Sequence, residues 1–105
     1  MLIAEYYNNR INVWSMDGQQ HITTIPLPSD PSSICYDHYH NERYVVGTYA
    51  SILVFDARND QIIQQFGNKG QQSGEFGGYI FGVCVEDEEG ILMVSDSANN
   101  RIQMF

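Results

Sequence analysis

With 105 residues the chain is long enough for one small domain and too short for two. Its composition, 43% hydrophobic and 17% charged with no low-complexity tract, excludes a disordered chain, because that much apolar material offsets the entropy of ordering. Five Lys+Arg against 13 Asp+Glu leave a formal charge of -8, which disfavours nucleic acid and anionic membranes as partners.

No apolar run approaches the roughly 18 residues of a membrane span. The start, Met1 to Glu5, lacks the basic and apolar regions of a secretory signal and runs straight into strand-like sequence. Cys35 and Cys84 are too few to define a disulfide scaffold, which leaves the compartment open with a lean towards the cytosol.

In chain order, short β-branched, aromatic or long apolar runs predict strands at 2–5, 10–15 and 20–27, then at 32–37, 43–48, 51–56 and 61–66. Three more follow at 80–86, 91–96 and 101–105. Gly, Pro, Asn and Asp clusters separate them, and the one long connection is the glycine-rich stretch Gly67 to Gly78. Helical periodicity never persists beyond a turn or two, so the expectation is an all-β chain of ten strands without helices.

Two of these segments are copies of each other. Leu2-Ile3-Ala4-Glu5-Tyr6-Tyr7-Asn8-Asn9-Arg10-Ile11-Asn12-Val13-Trp14 aligns without a gap on Met93-Val94-Ser95-Asp96-Ser97-Ala98-Asn99-Asn100-Arg101-Ile102-Gln103-Met104-Phe105. Both read as an apolar pair, a small residue, an acid, then Asn-Asn-Arg-Ile and a closing aromatic. A weaker middle copy runs from Val45 to Phe55, two residues shorter at the turn and without the Asn-Asn-Arg. Trp14 and Phe55 are 41 residues apart, Phe55 and Phe105 are 50 apart, and Ser33 to Asp37 recurs as Gly82 to Glu86. Periods of about 40 to 50 residues with several strands per unit point to the blades of a β-propeller, each a four-stranded antiparallel sheet.

Gly67 to Phe105 resembles an NHL repeat. The resemblance is carried by Gly70, Gly74-Glu75-Phe76, Gly82-Val83-Cys84-Val85-Glu86, Gly90, Val94-Ser95-Asp96 and Asn99 through Phe105. It covers nearly the whole chain, strongly at both ends and weakly in the middle. The chain departs from the motif in the loop between Phe76 and Gly82, which is a residue long and lacks the usual proline, and in Glu86, where Asp is usual. On this reading the chain is an incomplete propeller: 1–27 is a partial blade lacking the innermost strand, 28–67 a full blade, and 68–105 a partial blade lacking the outermost. Such propellers generally have about six blades, so the chain is expected to be a window from a longer array, with a closed homodimer as the less favoured arrangement.

Within the repeat, Glu5 with Arg10 and Asp96 with Arg101 flank the same short turn, where carboxylate and guanidinium can pair. Asn8-Asn9 and Asn99-Asn100 suit the turn because Asn tolerates left-handed backbone. These four charged residues are read as scaffold; the middle copy lost both partners together, with Thr48 at the acid's position. Cys35 and Cys84 stand at equivalent places on neighbouring inner strands and are read as packing residues, not a disulfide. His38 and His40 beside Asp37 lack the further ligands that zinc needs, and Glu86-Asp87-Glu88-Glu89 lacks the alternation of a calcium loop. No metal or cofactor is expected, and no hydrolase, phosphate-loop or metalloprotease motif is present.

The turns divide the charge between two faces. One collects Glu5, Asp30, Glu75 and Asp96 against Arg10, Lys69 and Arg101; the other collects nine acids against Arg43 and Arg58. The near-neutral face also carries Tyr6, Tyr7, Tyr49 and Tyr79, the residue type that recognition patches favour. Those four tyrosines are the candidate partner-binding residues. The leading expectation is a protein-interaction scaffold and not an enzyme. The resemblance implies a role such as substrate recruitment for a tripartite-motif ubiquitin ligase, whose catalytic domains would lie elsewhere. The alternatives are an RNA-binding NHL propeller, which would want a basic stripe, and a propeller enzyme of lactonase or amidating-lyase type, which would want inward-facing His or acid ligands.

Overall fold

The β-branched and aromatic runs of the sequence become extended strands in the computed structural model, which describes residues 1–40 and 42–105. The first group is β1 (Leu2–Glu5), β2 (Arg10–Trp14) and β3 (His21–Pro26), hydrogen-bonded in that order. The second is β4 (Ser33–Asp37), β5 (Arg43–Gly47), β6 (Ile52–Asp56) and β7 (Gln61–Phe66), again in chain order. Inside the long glycine connection β8 (Asn68–Lys69) and β9 (Glu75–Phe76) form a short parallel pair. The last sheet is β10 (Gly82–Val85), β11 (Leu92–Asp96) and β12 (Arg101–Met104). Within the three main sheets every neighbouring pair is antiparallel. The chain is all-β.

All ten expected strands are present, with ends moved by at most two residues. The largest shift is at 80–86, where β10 begins only at Gly82: the Ile80 N–H donates across to the Thr48 carbonyl at 3.1 Å, which ties that segment to the middle sheet. Two features correct the sequence reading. The expectation of no helix misses three-residue 3-10 turns at Tyr6–Asn8 and Ser97–Asn99, and the glycine connection carries the additional β8 and β9. Gly67 is required at the mouth of that connection. Its φ is +104°, and a Cβ there would lie 2.7 Å from the Phe76 ring and 2.9 Å from the Ala50 carbonyl oxygen.

Both faces of the two central strands of the middle sheet, β5 and β6, are dry, while β7 is exposed. Alternate side chains of a strand point to opposite sides, so Tyr44, Val46, Leu53 and Phe55 pack with Ile11, Ile25 and Leu27 of the first group. Val45, Ile52 and Val54 pack the other way, with Phe76, Ile80, Leu92 and Val94. Tyr44 and Phe55 stack nearly parallel, 4° apart with ring centroids at 4.9 Å, and the Tyr44 hydroxyl donates to Asp60 Oδ1 at 3.2 Å. The order of layers is therefore first sheet, middle sheet, last sheet.

The internal repeat extends to the register. β2 bulges against β3 between Val13 and Trp14, and β6 bulges against β7 between the equivalent Val54 and Phe55. Cys35 lies opposite Val45, as Cys84 lies opposite Met93. The copies differ in what covers them. Ile52 and Val54 are buried, whereas their equivalents Ile102 and Met104 are 70% and 69% exposed on the outward side of the last sheet.

This difference sets an expected contrast. Ile52→Ala should lower unfolding stability by about 2–5 kcal/mol, because it leaves a cavity in a packed layer. Ile102→Ala, at the equivalent but open position, should change it by less than about 0.5 kcal/mol. Urea unfolding followed by circular dichroism checks both; equal losses would mean that the last sheet is covered as the middle one is.

Candidate functional site

The four tyrosines singled out by the sequence lie far apart in the chain, yet three layers deliver them to one place. Tyr6 and Tyr7 occupy the 3-10 turn between β1 and β2, and Tyr49 occupies the turn between β5 and β6. Tyr79 lies on the approach to β10 and forms an antiparallel bridge with Tyr49. The rings make a continuous run: Tyr7 stands edge-on to Tyr6 at 4.8 Å, Tyr6 lies 5.1 Å from Tyr79, and Tyr79 is edge-on to Tyr49 at 5.0 Å. Tyr7 is 89% exposed and Tyr49 is 43% exposed, so the run opens to solvent.

The run is longer than sequence reasoning anticipated. Phe81, 64% exposed, continues it at 6.2 Å from Tyr79. A signal was present: in an extended segment Tyr79 and Phe81 share a side while Ile80, which is fully buried, takes the other. Polar groups bracket the rings. The Tyr79 hydroxyl donates to Asp30 Oδ2 at 3.3 Å, and the Lys69 ammonium sits 5.6 Å above the Tyr49 ring. The Tyr6 hydroxyl, then burial and the Asp30 charge, push the Tyr79 phenol up to about 12, so it stays a neutral donor.

Beside this surface lie the two repeated turns. Glu5 pairs with Arg10, and Asp96 with Arg101, as cross-strand neighbours at the strand ends. Asn9 and Asn100 take the left-handed conformation that closes each turn, with φ of 49° and 55°. Around Asp96 the network is dense: its carboxylate accepts from the Gly77 N–H at 2.9 Å, Arg101 Nε at 2.8 Å and Asn99 Nδ2 at 3.0 Å. Burial alone would raise the Asp96 carboxyl. The Gly77 N–H, Arg101 and Asn99 overcome that and hold its pKa below the usual aspartate value. Glu5 binds Arg10 Nε, the Asn12 amide and, at 3.2 Å, Asn8, and Arg10 chiefly lowers its pKa. In the middle copy the buried Thr48 hydroxyl donates to the Ser51 carbonyl at 3.2 Å.

The opposite face carries the acids. Glu86 accepts from the backbone N–H groups of Glu88, Glu89 and Ile91 and closes the turn itself, while Asp87, Glu88 and Glu89 point to solvent. Asp37 is buried among the Tyr39 and His40 N–H groups, His40 Nδ1 at 2.7 Å and Arg43 at 3.5 Å. His38 instead packs on Tyr36, so the two imidazoles are used separately. Among the described residues no three His, Cys, Asp or Glu side chains converge as metal ligands. Cys35 and Cys84 are both free thiols, and burial, first of all, raises the Cys35 thiol to about 11.

No protein-family model matches the chain, and no curated protein matches it at a significant level.

The Asp96 network carries a pH dependence. Its folded pKa lies below the unfolded value of about 3.8, so its stabilisation is present above that value and is lost as pH falls through the folded pKa. Asp96→Asn should therefore cost about 1–3 kcal/mol at pH 7. Its stability should also decline less than the wild type's as pH falls below about 4. Unfolding midpoints over that range check this; parallel acid profiles would mean that Asp96 is not a titrating contributor.

Proposed function

We propose that the chain is part of a β-propeller of NHL-repeat type and that it serves as a protein-interaction surface. The propeller reading is supported by three antiparallel meanders in chain order, stacked face to face around two apolar layers, with equivalent turns and bulges recurring between them. Residues 1–27, 28–67 and 68–105 correspond on this reading to a blade without its inner strand, a full blade and a blade without its outer strand.

One observation carries the functional reading. Tyr6, Tyr7, Tyr49 and Tyr79, contributed by different layers, form one contiguous and partly exposed aromatic run. Tyrosine buries a large area at small conformational cost and offers a hydroxyl, which is why it anchors protein interfaces. The flanking charges are nearly balanced and two of the three bases are held by acids, so this face suits a polypeptide better than a phosphate backbone. The role is one of binding, such as recruitment of a substrate to a larger assembly; a ligase activity would belong to other domains.

With the chain as bait, replacing Tyr6 and Tyr49 by Ala should weaken retention of its protein partner by roughly 30-fold or more, the loss of a central aromatic anchor. Charge reversal at Asp87 and Glu88 should leave retention within about twofold. The reverse outcome would assign binding to the acidic face.

A further inference from the structure

The tyrosine surface gathers more hydrogen-bond acceptors than donors at one point. Asp30, in the loop between β3 and β4, accepts from the Tyr79 hydroxyl at Oδ2, 3.3 Å away. The Tyr6 hydroxyl, then burial and the Asp30 charge, push the Tyr79 phenol up to about 12, so no second negative charge forms there. The three groups come from separate parts of the chain: the turn after β1, the loop after β3 and the approach to β10. A carboxylate offers about four lone-pair sites. Among the described residues that of Asp30 receives one hydrogen bond and pairs with no cation.

The bases of this face are committed elsewhere. Arg10 pairs with Glu5 and Arg101 with Asp96, and Arg101 also donates to the carbonyls of Gln71, Gln72 and Glu75 at 2.8 to 2.9 Å. Lys69 stands at the far end of the run, its ammonium 5.6 Å from the centre of the Tyr49 ring. That contact shows the rings taking a cation. The Asp30 end adds a carboxylate to the same aromatic material, which continues from Tyr79 through Tyr6 to Tyr7, 89% exposed. With a formal charge of -8 the chain attracts a cation before contact.

We propose that the Asp30 end of the tyrosine run binds the guanidinium of an arginine on the partner polypeptide. A guanidinium brings five N–H donors in a planar fork, which meets the unused lone pairs of the carboxylate. Its flat face lies on a tyrosine ring, as the Lys69 ammonium does at Tyr49. A lysine would match the charge but not the fork, and an acidic segment would be repelled by Asp30 and by the chain as a whole. This inference rests on the tyrosine surface being the interface and adds the chemistry of what that surface grips.

The intact, isotope-labelled chain is titrated by NMR with the acetylated and amidated peptide Gly-Arg-Gly-Arg-Gly, and with the same peptide carrying citrulline, a neutral isostere, for arginine. Expected are saturable amide shifts at Tyr6, Asp30 and Tyr79, with upfield movement of the peptide's arginine δ-protons, the mark of a side chain stacked on a ring. The citrulline peptide should bind at least about fivefold more weakly. Asp30→Asn should weaken the arginine peptide by about fivefold and leave the citrulline peptide unaltered. Tyr7→Ala should cost about threefold, and Asp87→Asn with Glu88→Gln should stay within about twofold at physiological salt. Thermal melts establish that the variants fold. No saturable shift up to about 10 mM peptide, equal affinity for the two peptides, or affinity unchanged by both Asp30→Asn and Tyr7→Ala overturns the proposal. So do shifts confined to Asp87, Glu88 and Glu89, which would put the arginine on the acidic face. The interface itself fails by a different result, partner retention unaltered when Tyr6 and Tyr49 are replaced by Ala. Retention that falls with those two but not with Asp30→Asn keeps the interface and overturns the arginine.

Discussion

The structure depends on the two central strands of the middle sheet, β5 and β6, which are apolar on both sides. Tyr44, Val46, Leu53 and Phe55 face one way and Val45, Ile52 and Val54 the other, and all are nearly inaccessible to water. Neither face can be left wet without losing the burial that offsets chain entropy. A sheet must therefore lie on each side, and the order of layers follows. The same logic leaves the outward side of the last sheet as an unfinished surface, since Ile102 and Met104 repeat the chemistry of buried positions without a covering layer.

The turns follow from the layers. Where two strands end against a neighbouring sheet, a polar group is buried, and a buried carboxylate persists only when its charge is met by donors. Asp96 has three strong ones among an amide N–H, a guanidinium and a side-chain amide, and its partner Arg101 spends its remaining donors on loop carbonyls. One ion pair thus closes a strand turn and anchors the connection arriving from the preceding sheet. Glu5 and Arg10 close their turn by the same means but lie partly exposed, and among the described residues they hold no loop backbone. The difference between the two copies is one of neighbours and not of residues.

Charge separates the two ends of the layers. Acids that cap their own turns, such as Glu86, gain backbone N–H groups and need no cation, so they can accumulate on one face. The opposite face pairs Glu5 and Asp96 with arginines and has room for aromatic rings. A field of one sign on one face and a nearly neutral aromatic patch on the other favours approach of a polypeptide through the patch.

Strand number, order and approximate ends were legible in the sequence because β-branched and aromatic runs bounded by Gly, Pro and Asn report local backbone preference directly. The repeat of Leu2 to Trp14 in Met93 to Phe105 made the equivalent turns and their ion pairs legible too. Local preference did not reveal β8 and β9, because their pairing is set by Gly67 folding the loop onto Phe76 and Ala50, residues brought close only by packing. Nor did it reveal Phe81, or that Tyr6 and Tyr79 are 5.1 Å apart across 73 residues of chain. The amino-acid sequence by itself determined the strands, the turns and the pairs that close them. Tertiary packing alone decided which copy of each repeated surface is covered and which is open, because burial belongs to the layer beside a residue and not to the residue.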